Sequence, residues 1–250
     1  MAPVSRWRQL NLTFPDWQTA EDFAATRLAP ELTAAEDHRA IVAFWFIRKS
    51  ETWRLRLLPG DRLAQVYALL VSMTRRRPHR GVTEPVYRPE AYAFGGDQAM
   101  TIAHTLFHAD SRHILGHLAT PAVPIGVNSA SCSPGRLMRA AGLEFSEQGD
   151  VWRLLASRRH QPNAHAPSPR LIAAVQRLLT AADDTARSPL VITPQWPRAH
   201  EQAGLDLGFL DRHGALTRDL REVLTHHLLF LFNRLGHLPP LTPGYSRRRP

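Results

Sequence analysis

The sequence is poor in cysteine and in long apolar runs. Cys132 is the only cysteine in 250 residues, which excludes an intramolecular disulfide and favours a reducing compartment. No apolar run, HLLFLF at 227–232 included, is long enough to span a bilayer. The N-terminal stretch MAPVSRWRQLNLTF lacks the apolar core of a signal peptide. These absences predict a soluble cytoplasmic protein.

Lysine is also scarce, and the basic excess is carried by arginine. Lys49 is the only lysine among 31 basic residues, which with 22 acidic residues give a net charge of +9 at pH 7. Such a positive field attracts an anionic partner. The arginines are scattered along the chain, which disfavours nucleic acid and suits an acidic peptide.

The N-terminal part alternates strand and helix patterns. Strands are predicted at WRQLNLTF (7–14), AIVAFWFIRK (40–49) and TWRLRLL (52–58), the last two as a hairpin. Helices are predicted after Asp16, which can act as an N-cap, and at 61–76. The proline-containing segment VTEPVYRPE suits a sheet edge. The order strand, helix, strand, strand, helix, strand predicts a ferredoxin-like split βαβ sheet.

The rest of the chain is predicted to be helical. The helices are expected at 97–119, 123–141, 146–158, 167–182, 196–210 and 218–236. The class is therefore α+β, with the sheet and a larger helical half sharing one core in a single domain over 1–237. The segment LPPLTPGYSRRRP (238–250) is expected to be a flexible basic tail.

The helix from residue 97 carries ionisable side chains at nearly every turn. Asp110 falls on its apolar stripe and must be hydrogen-bonded or paired, because burying a lone carboxylate is costly. Three polar residues lie along one edge of the helix: His104, His108 and Ser111. They are either solvated side chains or the polar wall of a cleft.

A zinc site is the obvious alternative for His104 and His108. Their i, i+4 spacing fits, but the sequence HTLFH lacks the glutamate of HExxH and no third ligand follows. FGGDQ lacks the spacing of a phosphate-binding loop, and no nucleophile elbow occurs. We expect neither a metal nor another cofactor.

Two arginines alternate with apolar residues along the predicted strand TWRLRLL. Arg54 and Arg56 share a face, and their guanidinium groups suit a carboxylate or an amide carbonyl. A solvated strand face is the alternative. Tyr87 and Glu90 frame the turn before the helix from residue 97. Tyrosine can donate or shuttle a proton, and glutamate can accept one or pair with an arginine.

The last predicted helix is mainly apolar. Its segment HHLLFLFNR (226–234) predicts core packing. Four polar side chains could reach a cleft at its edge, although we expect packing for most of them: His226, His227, Asn233 and Arg234.

Four segments occur in an order typical of one family. They are WFIRKSETWRLRL, YRPEAYAFGG with AHTLFHADSRHIL, RLMRAAGLEFSEQGDVW, and LTRDLREVLTHHLLFLFNRLG. From about residue 5 to 237, the chain resembles the elimination domains of lantibiotic dehydratases and thiopeptide-type bacteriocin biosynthesis proteins. The resemblance implies one of two activities. Stand-alone elimination domains remove glutamate from glutamylated Ser or Thr. Pyridine synthases join two dehydroalanines by a formal aza-[4+2] cycloaddition, then lose water and expel the leader peptide.

Two positions discriminate between these activities. Eliminating members carry an arginine just before the aromatic residue and Gly-Gly, where this chain has Ala93. They also carry a histidine four residues before the last Asn-Arg, where this chain has Leu229. The resemblance therefore favours a pyridine synthase, a cofactor-independent cyclase and lyase. Two alternatives stay open: a stand-alone glutamyl-elimination domain of a split dehydratase, and a non-catalytic subunit that binds the precursor peptide.

The pyridine synthase interpretation gives the candidate residues roles. Tyr87 and His104 would assist the amide-to-iminol tautomerisation. Proton donors for dehydration and leader release would come from His108, Ser111 or Glu90. Substrate binding is assigned to Arg54, Arg56, Asn233 and Arg234. The expected partner is a ribosomally made precursor peptide with a leader and a dehydrated, azole-containing core. Nucleic acid and membrane are not expected as partners, and homodimerisation stays open.

Overall fold

A computed structural model describes residues 6–49, 51–75, 78–120, 127–158 and 195–236. The predicted helix at 167–182 and the predicted tail at 238–250 lie outside these residues. The described residues form two compact units. The sheet unit draws on Met1–Pro89, Ile114–Ala119 and Phe230–Pro250, and the helical unit on Glu90–His113 and Thr120–Leu229. The extent of a single domain over 1–237 stays a prediction.

The sheet has four strands within the described part of the chain. They are β1 (Arg8–Thr13), β2 (Ile41–Lys49), β3 (Thr52–Pro59) and β4 (Gly81–Thr83). Their order is β2-β3-β1-β4, and neighbouring strands are antiparallel. The connections between β1 and β2 and between β3 and β4 contain α1 (Trp17–Phe23), α2 (Ala29–Asp37) and α3 (Leu63–Arg75). This arrangement confirms the predicted split βαβ unit.

One face of the sheet is apolar because alternate side chains of each strand point to it. Its buried residues include Leu10, Leu12, Phe44, Phe46, Trp53, Leu55 and Leu57. Phe46 stacks on Trp53 across the hairpin, with ring centres 4.8 Å apart. Each such side chain contributes about 1.5–3 kcal/mol when fully buried, so this face forms the core of the sheet unit.

Arg48 is the exception on this apolar face. Its guanidinium carbon lies 5.0 Å from the centre of the Trp17 ring and 4.5 Å from that of Trp53. Its Nη1 donates to Glu21 Oε1 at 2.6 Å. Burial lowers the pKa of Arg48, and the Glu21 carboxylate opposes that shift. The charge thus lies over three aromatic rings, those of Trp17, Trp53 and Phe46, and beside one carboxylate.

The helix that follows β1 begins where the sequence predicts. The Thr19 N–H donates to Asp16 Oδ1 at 2.7 Å, and this bond lowers the pKa of the Asp16 carboxyl. The helix then passes through a π-helical segment, Ala24–Leu28, which the pattern did not predict. Pro30 supplies a reason, since it has no N–H to donate to the Thr26 carbonyl as a regular α-helix requires.

The remaining helices follow the predicted pattern closely. They are α4 (Asp97–Ala119), α5 (Val127–Ala140), α6 (Phe145–Ser157), α7 (Gln195–Arg212) and α8 (Leu220–Leu235). The predicted bounds of α4 are confirmed at both ends, and the other four agree within a few residues.

Helices α5 and α7 meet through two glycines of α7. A Cβ on Gly204 would lie 2.3 Å from the Leu137 carbonyl oxygen, and one on Gly208 would lie 2.5 Å from the Ala141 carbonyl oxygen. These distances are far below van der Waals contact. The two backbones therefore approach more closely than any residue with a side chain at these positions would allow.

Candidate functional site

The second face of the sheet carries both arginines of β3. Arg54 lies opposite Asn11 of β1, and Arg56 lies opposite Gln9 of β1. Because these positions alternate with Trp53 and the other apolar residues of β3, the two guanidinium groups share one face as predicted.

Arg56 is held in a socket of aromatic and amide groups. Its guanidinium carbon lies 4.0 Å from the centre of the Trp45 ring and 5.1 Å from that of Tyr87. Its Nε donates to Gln9 Oε1 at 3.0 Å, and its Nη1 donates to the Arg54 carbonyl oxygen at 3.4 Å. Arg56 and Tyr87 are each only 6% exposed. Both are therefore part of the interior of the sheet unit.

Arg54 is the more accessible of the two, since it is half-buried. Asn233 is also half-buried, whereas Arg234 is fully buried. Of the four predicted substrate-binding residues, Arg54 and Asn233 are the ones with surface available to a ligand in this structure.

The difference in burial between Arg54 and Arg56 predicts that replacing each residue has a different effect. Under the peptide-binding role that the resemblance implies for Arg54, Arg54→Met should raise the KM for the peptide about 10-fold, the scale of one charged hydrogen bond, and leave the unfolding midpoint in urea nearly unchanged. Arg56→Met should lower that midpoint, because the socket loses its charged occupant. Peptide titration and urea unfolding of both variants measure the two effects. Equal unfolding losses in the two variants would contradict the assignment.

In the helical unit, the predicted edge of α4 is less open than expected. His104 and His108 are half-buried, and Ser111 is fully buried. The His104 ring meets Phe107 edge to face, with ring centres 6.4 Å apart. Among the described residues, no group of three His, Cys, Asp or Glu side chains is placed to hold a metal ion.

Asp110 is tied to α7, as the sequence argument required of a buried carboxylate. Trp196 Nε1 donates to Asp110 Oδ1 at 2.8 Å, and His200 Nε2 lies 3.3 Å from the same oxygen. The other ring nitrogen of His200, Nδ1, lies 3.2 Å from the Trp196 carbonyl oxygen. Both nitrogens of His200 thus face oxygen acceptors.

The turn before α4 is fixed by its backbone. It runs from Glu90 through a short 3-10 helix (Ala91–Phe94) to Gly95 and Gly96, whose φ angles are 91° and 108°. The Thr217 N–H donates to the Gly95 carbonyl oxygen at 3.0 Å. The turn leaves Ala93 half-buried and Tyr92 75% exposed.

A cluster of polar side chains lies beside this turn, and the sequence did not predict that they meet. Arg158 and Arg218 both donate to Glu222 Oε2, the second at 2.8 Å. Arg158 Nη1 also lies 3.3 Å from Nδ1 of His226, and Nε2 of His226 lies 3.7 Å from Glu90 Oε2. We call the set Glu90, Arg158, Arg218, Glu222 and His226 the polar cluster. Arg218, Glu222 and His226 are spaced four residues apart, whereas Glu90 and Arg158 come from distant parts of the sequence, so no local pattern joins all five.

The two adjacent histidines of α8 have different surroundings. His227 is 2% exposed and lies between Phe94 and Phe107, with ring centres 5.0 and 6.0 Å away. The His226 side chain keeps 17% of its surface exposed. Successive residues of a helix point about 100° apart, so one histidine packs and the other reaches the polar cluster.

Comparison with solved structures defines the class of fold. The chain is similar to the tRNA-dependent lantibiotic dehydratase MibB from Microbispora sp. 107891, with a TM-score of 0.65 and 20% identity. That match covers 94% of this chain and 26% of MibB, so the chain spans about a quarter of that protein. Two further structures match over most of both chains. TbtD, a pyridine synthase from thiomuracin biosynthesis, gives a TM-score of 0.55 at 12% identity and coverages of 96% and 93%. TsrL gives 0.52 at 14% identity and coverages of 92% and 89%.

The sequence identifies the family. Residues 7–242 match the model of the lantibiotic biosynthesis dehydratase C-terminal family, and the chain belongs to that family. No curated protein gives a significant sequence match. None of the described helices has both the length and the apolar character needed to cross a membrane.

Proposed function

We propose that this protein is a pyridine synthase of thiopeptide biosynthesis. It joins two dehydroalanines of a modified precursor peptide by a formal aza-[4+2] cycloaddition, then removes water and the leader peptide to leave a pyridine-centred macrocycle. The observation that carries the proposal is the identity of residue 93 in the turn before α4, which is a small, half-buried alanine. Elimination of glutamate requires a cation to hold the leaving carboxylate, and the resemblance places an arginine at this position in eliminating relatives.

A further observation supports the proposal. Two arginines of the helical unit, Arg158 and Arg218, are both engaged by Glu222. A pair of cations already bound to a carboxylate is poorly placed to take up another one.

The proposed reaction mainly requires that the enzyme position the two dehydroalanines of its substrate. Two dehydroalanines are reactive π systems, and holding them in contact within a long peptide is worth up to ~7–11 kcal/mol. Arg54 and Asn233 would bind peptide carbonyls, and Arg56, buried beside Tyr87, would support that surface. In the helical unit, His104, His108 and Glu90 supply groups able to move protons. Ser111 and Arg234, both fully buried, would require a change in their surroundings to touch a substrate.

Mass spectrometry tests the proposal with a precursor peptide that carries azoles and two dehydroalanines. The expected result is a macrocyclic product together with a leader peptide that ends in a carboxamide. A peptide with the second dehydroalanine replaced by alanine is the control and should stay unchanged.

The alternatives give different results in the same assay. Loss of glutamate from a glutamylated peptide, without cyclisation of the dehydrated one, would identify an eliminase. Binding of the precursor without any change in mass would identify a non-catalytic subunit. Either result would contradict the pyridine synthase proposal.

A further inference from the structure

The polar cluster contains a histidine whose proton position is defined by its neighbours. Arginine carries only donors and stays protonated, so Arg158 Nη1, at 3.3 Å, must donate to Nδ1 of His226. With Nδ1 accepting, Nε2 is the nitrogen that carries the ring proton toward other neighbours.

That proton faces a carboxylate. Nε2 of His226 lies 3.7 Å from Glu90 Oε2, which is longer than a hydrogen bond. Contacts of this kind commonly tighten when a substrate enters and excludes water. The Glu90 side chain is 59% exposed and the His226 side chain 17% exposed. In the series of contacts from Glu222 through Arg158 and His226 to Glu90, the Glu90 carboxylate is therefore the group at the solvent-facing end.

The inner end is anchored. Arg158 also donates to Glu222, which in turn accepts from Arg218 at 2.8 Å. The His226 ring also meets Phe94 edge to face, with ring centres 5.1 Å apart and planes at 89°. The ring thus contacts Arg158 at Nδ1 and packs against Phe94, with Nε2 on the side of Glu90.

We propose that Glu90 is a proton-transferring carboxylate of the site and that His226, oriented by Arg158, is its positioning residue. This inference rests on the proposed function for its reaction. After water has been lost, Glu90 takes a proton from the ring carbon as the bond between the neighbouring carbon and the leader amide nitrogen breaks. Glu90 then returns that proton to the departing nitrogen. A ring double bond forms, the leader leaves as a carboxamide, and the carboxylate is regenerated.

The decisive comparison is between two substitutions of His226. Glutamine places an N–H donor where Nε2 lies, whereas leucine removes it. We expect His226→Leu to lower kcat about 10- to 100-fold with KM little changed, the usual cost of losing an orienting partner, and His226→Gln to restore most of the rate. His213→Leu is the matched control and should have no effect, since His213 follows α7 and bonds the Phe209 carbonyl oxygen outside the cluster.

Four results would overturn the inference, two of them kinetic and two spectroscopic. One is an unchanged rate in His226→Leu, and another is equal loss in the leucine and glutamine variants. The third is a ring protonated at Nδ1 in the ¹⁵N spectrum of the resting protein. Arg158→Met should change that spectrum for His226, and an unchanged ring would also contradict the assignment.

Failure of the proposed function is distinguishable from failure of this inference. If the wild-type chain eliminates glutamate and does not cyclise, the same variants are compared in the elimination assay, where removal of the α-proton also needs a base. The ¹⁵N measurement requires no turnover, so it decides the placement of the His226 proton in either case.

Discussion

Replacing Asp110 with alanine is expected to lower the free energy of unfolding by about 3–5 kcal/mol. The carboxylate is 1% exposed, and it accepts the indole N–H of Trp196 and faces Nε2 of His200. Removing it leaves a buried indole donor and a buried imidazole without that partner, and each costs free energy. Urea unfolding followed by tryptophan fluorescence measures the loss, because Trp196 is itself one of the reporters.

Asp150→Ala is the matched control. Asp150 pairs with Arg153 at 3.3 Å and with Arg221 at 3.5 Å, and all three side chains are at least 41% exposed. Exposed ion pairs contribute about 0–1 kcal/mol, so this variant should unfold almost as the wild type does. A similar loss in the two variants would show that Asp110 is not an internal tether.

Replacing Gly204 with alanine is expected to cost about 2–3 kcal/mol, although alanine is the better helix former. The new Cβ would lie 2.3 Å from the Leu137 carbonyl oxygen and 2.7 Å from the Ala140 Cβ. Neither neighbour is the end of a flexible side chain, so helices α5 and α7 must move apart, and overpacking of this kind is destabilising. Thermal and urea unfolding provide the measurement.

Replacing Gly149 with alanine should instead raise the free energy of unfolding. Gly149 lies in the interior of α6 and is exposed, and a Cβ added to it would have no atom outside its own helix turn within 4 Å. Alanine there gains helix propensity of about 1 kcal/mol without a clash. If Gly149→Ala and Gly204→Ala both stabilise the protein, the close approach of α5 and α7 is not a constraint.

The secondary structure was largely predictable because its signals are local. The apolar periodicity defines α4, whose first turn contains Asp97, and the alternation in TWRLRLL defines which face Arg54 and Arg56 share. The π-helical segment Ala24–Leu28 was not predicted, since apolar spacing does not report which carbonyl each N–H reaches.

The partners within the candidate site were not predictable in the same way. The sequence argument required a partner for Asp110, but Trp196 lies 86 positions away. Arg158 and His226 are separated by 68 positions, and their contact creates the orientation of the imidazole. Periodicity also does not tell which of two adjacent histidines faces the core, because both positions border the apolar stripe of α8.

In the turn before α4, the backbone path is fixed independently of the side chain at position 93. Its path is held by the positive φ angles of Gly95 and Gly96 and by the bond from the Thr217 N–H to the Gly95 carbonyl oxygen. None of these depends on the side chain at position 93. A substitution at position 93 therefore changes the side chain on the turn while its scaffold stays intact. Under the proposed function, the difference between elimination and ring formation at this turn needs a side-chain replacement and no new backbone.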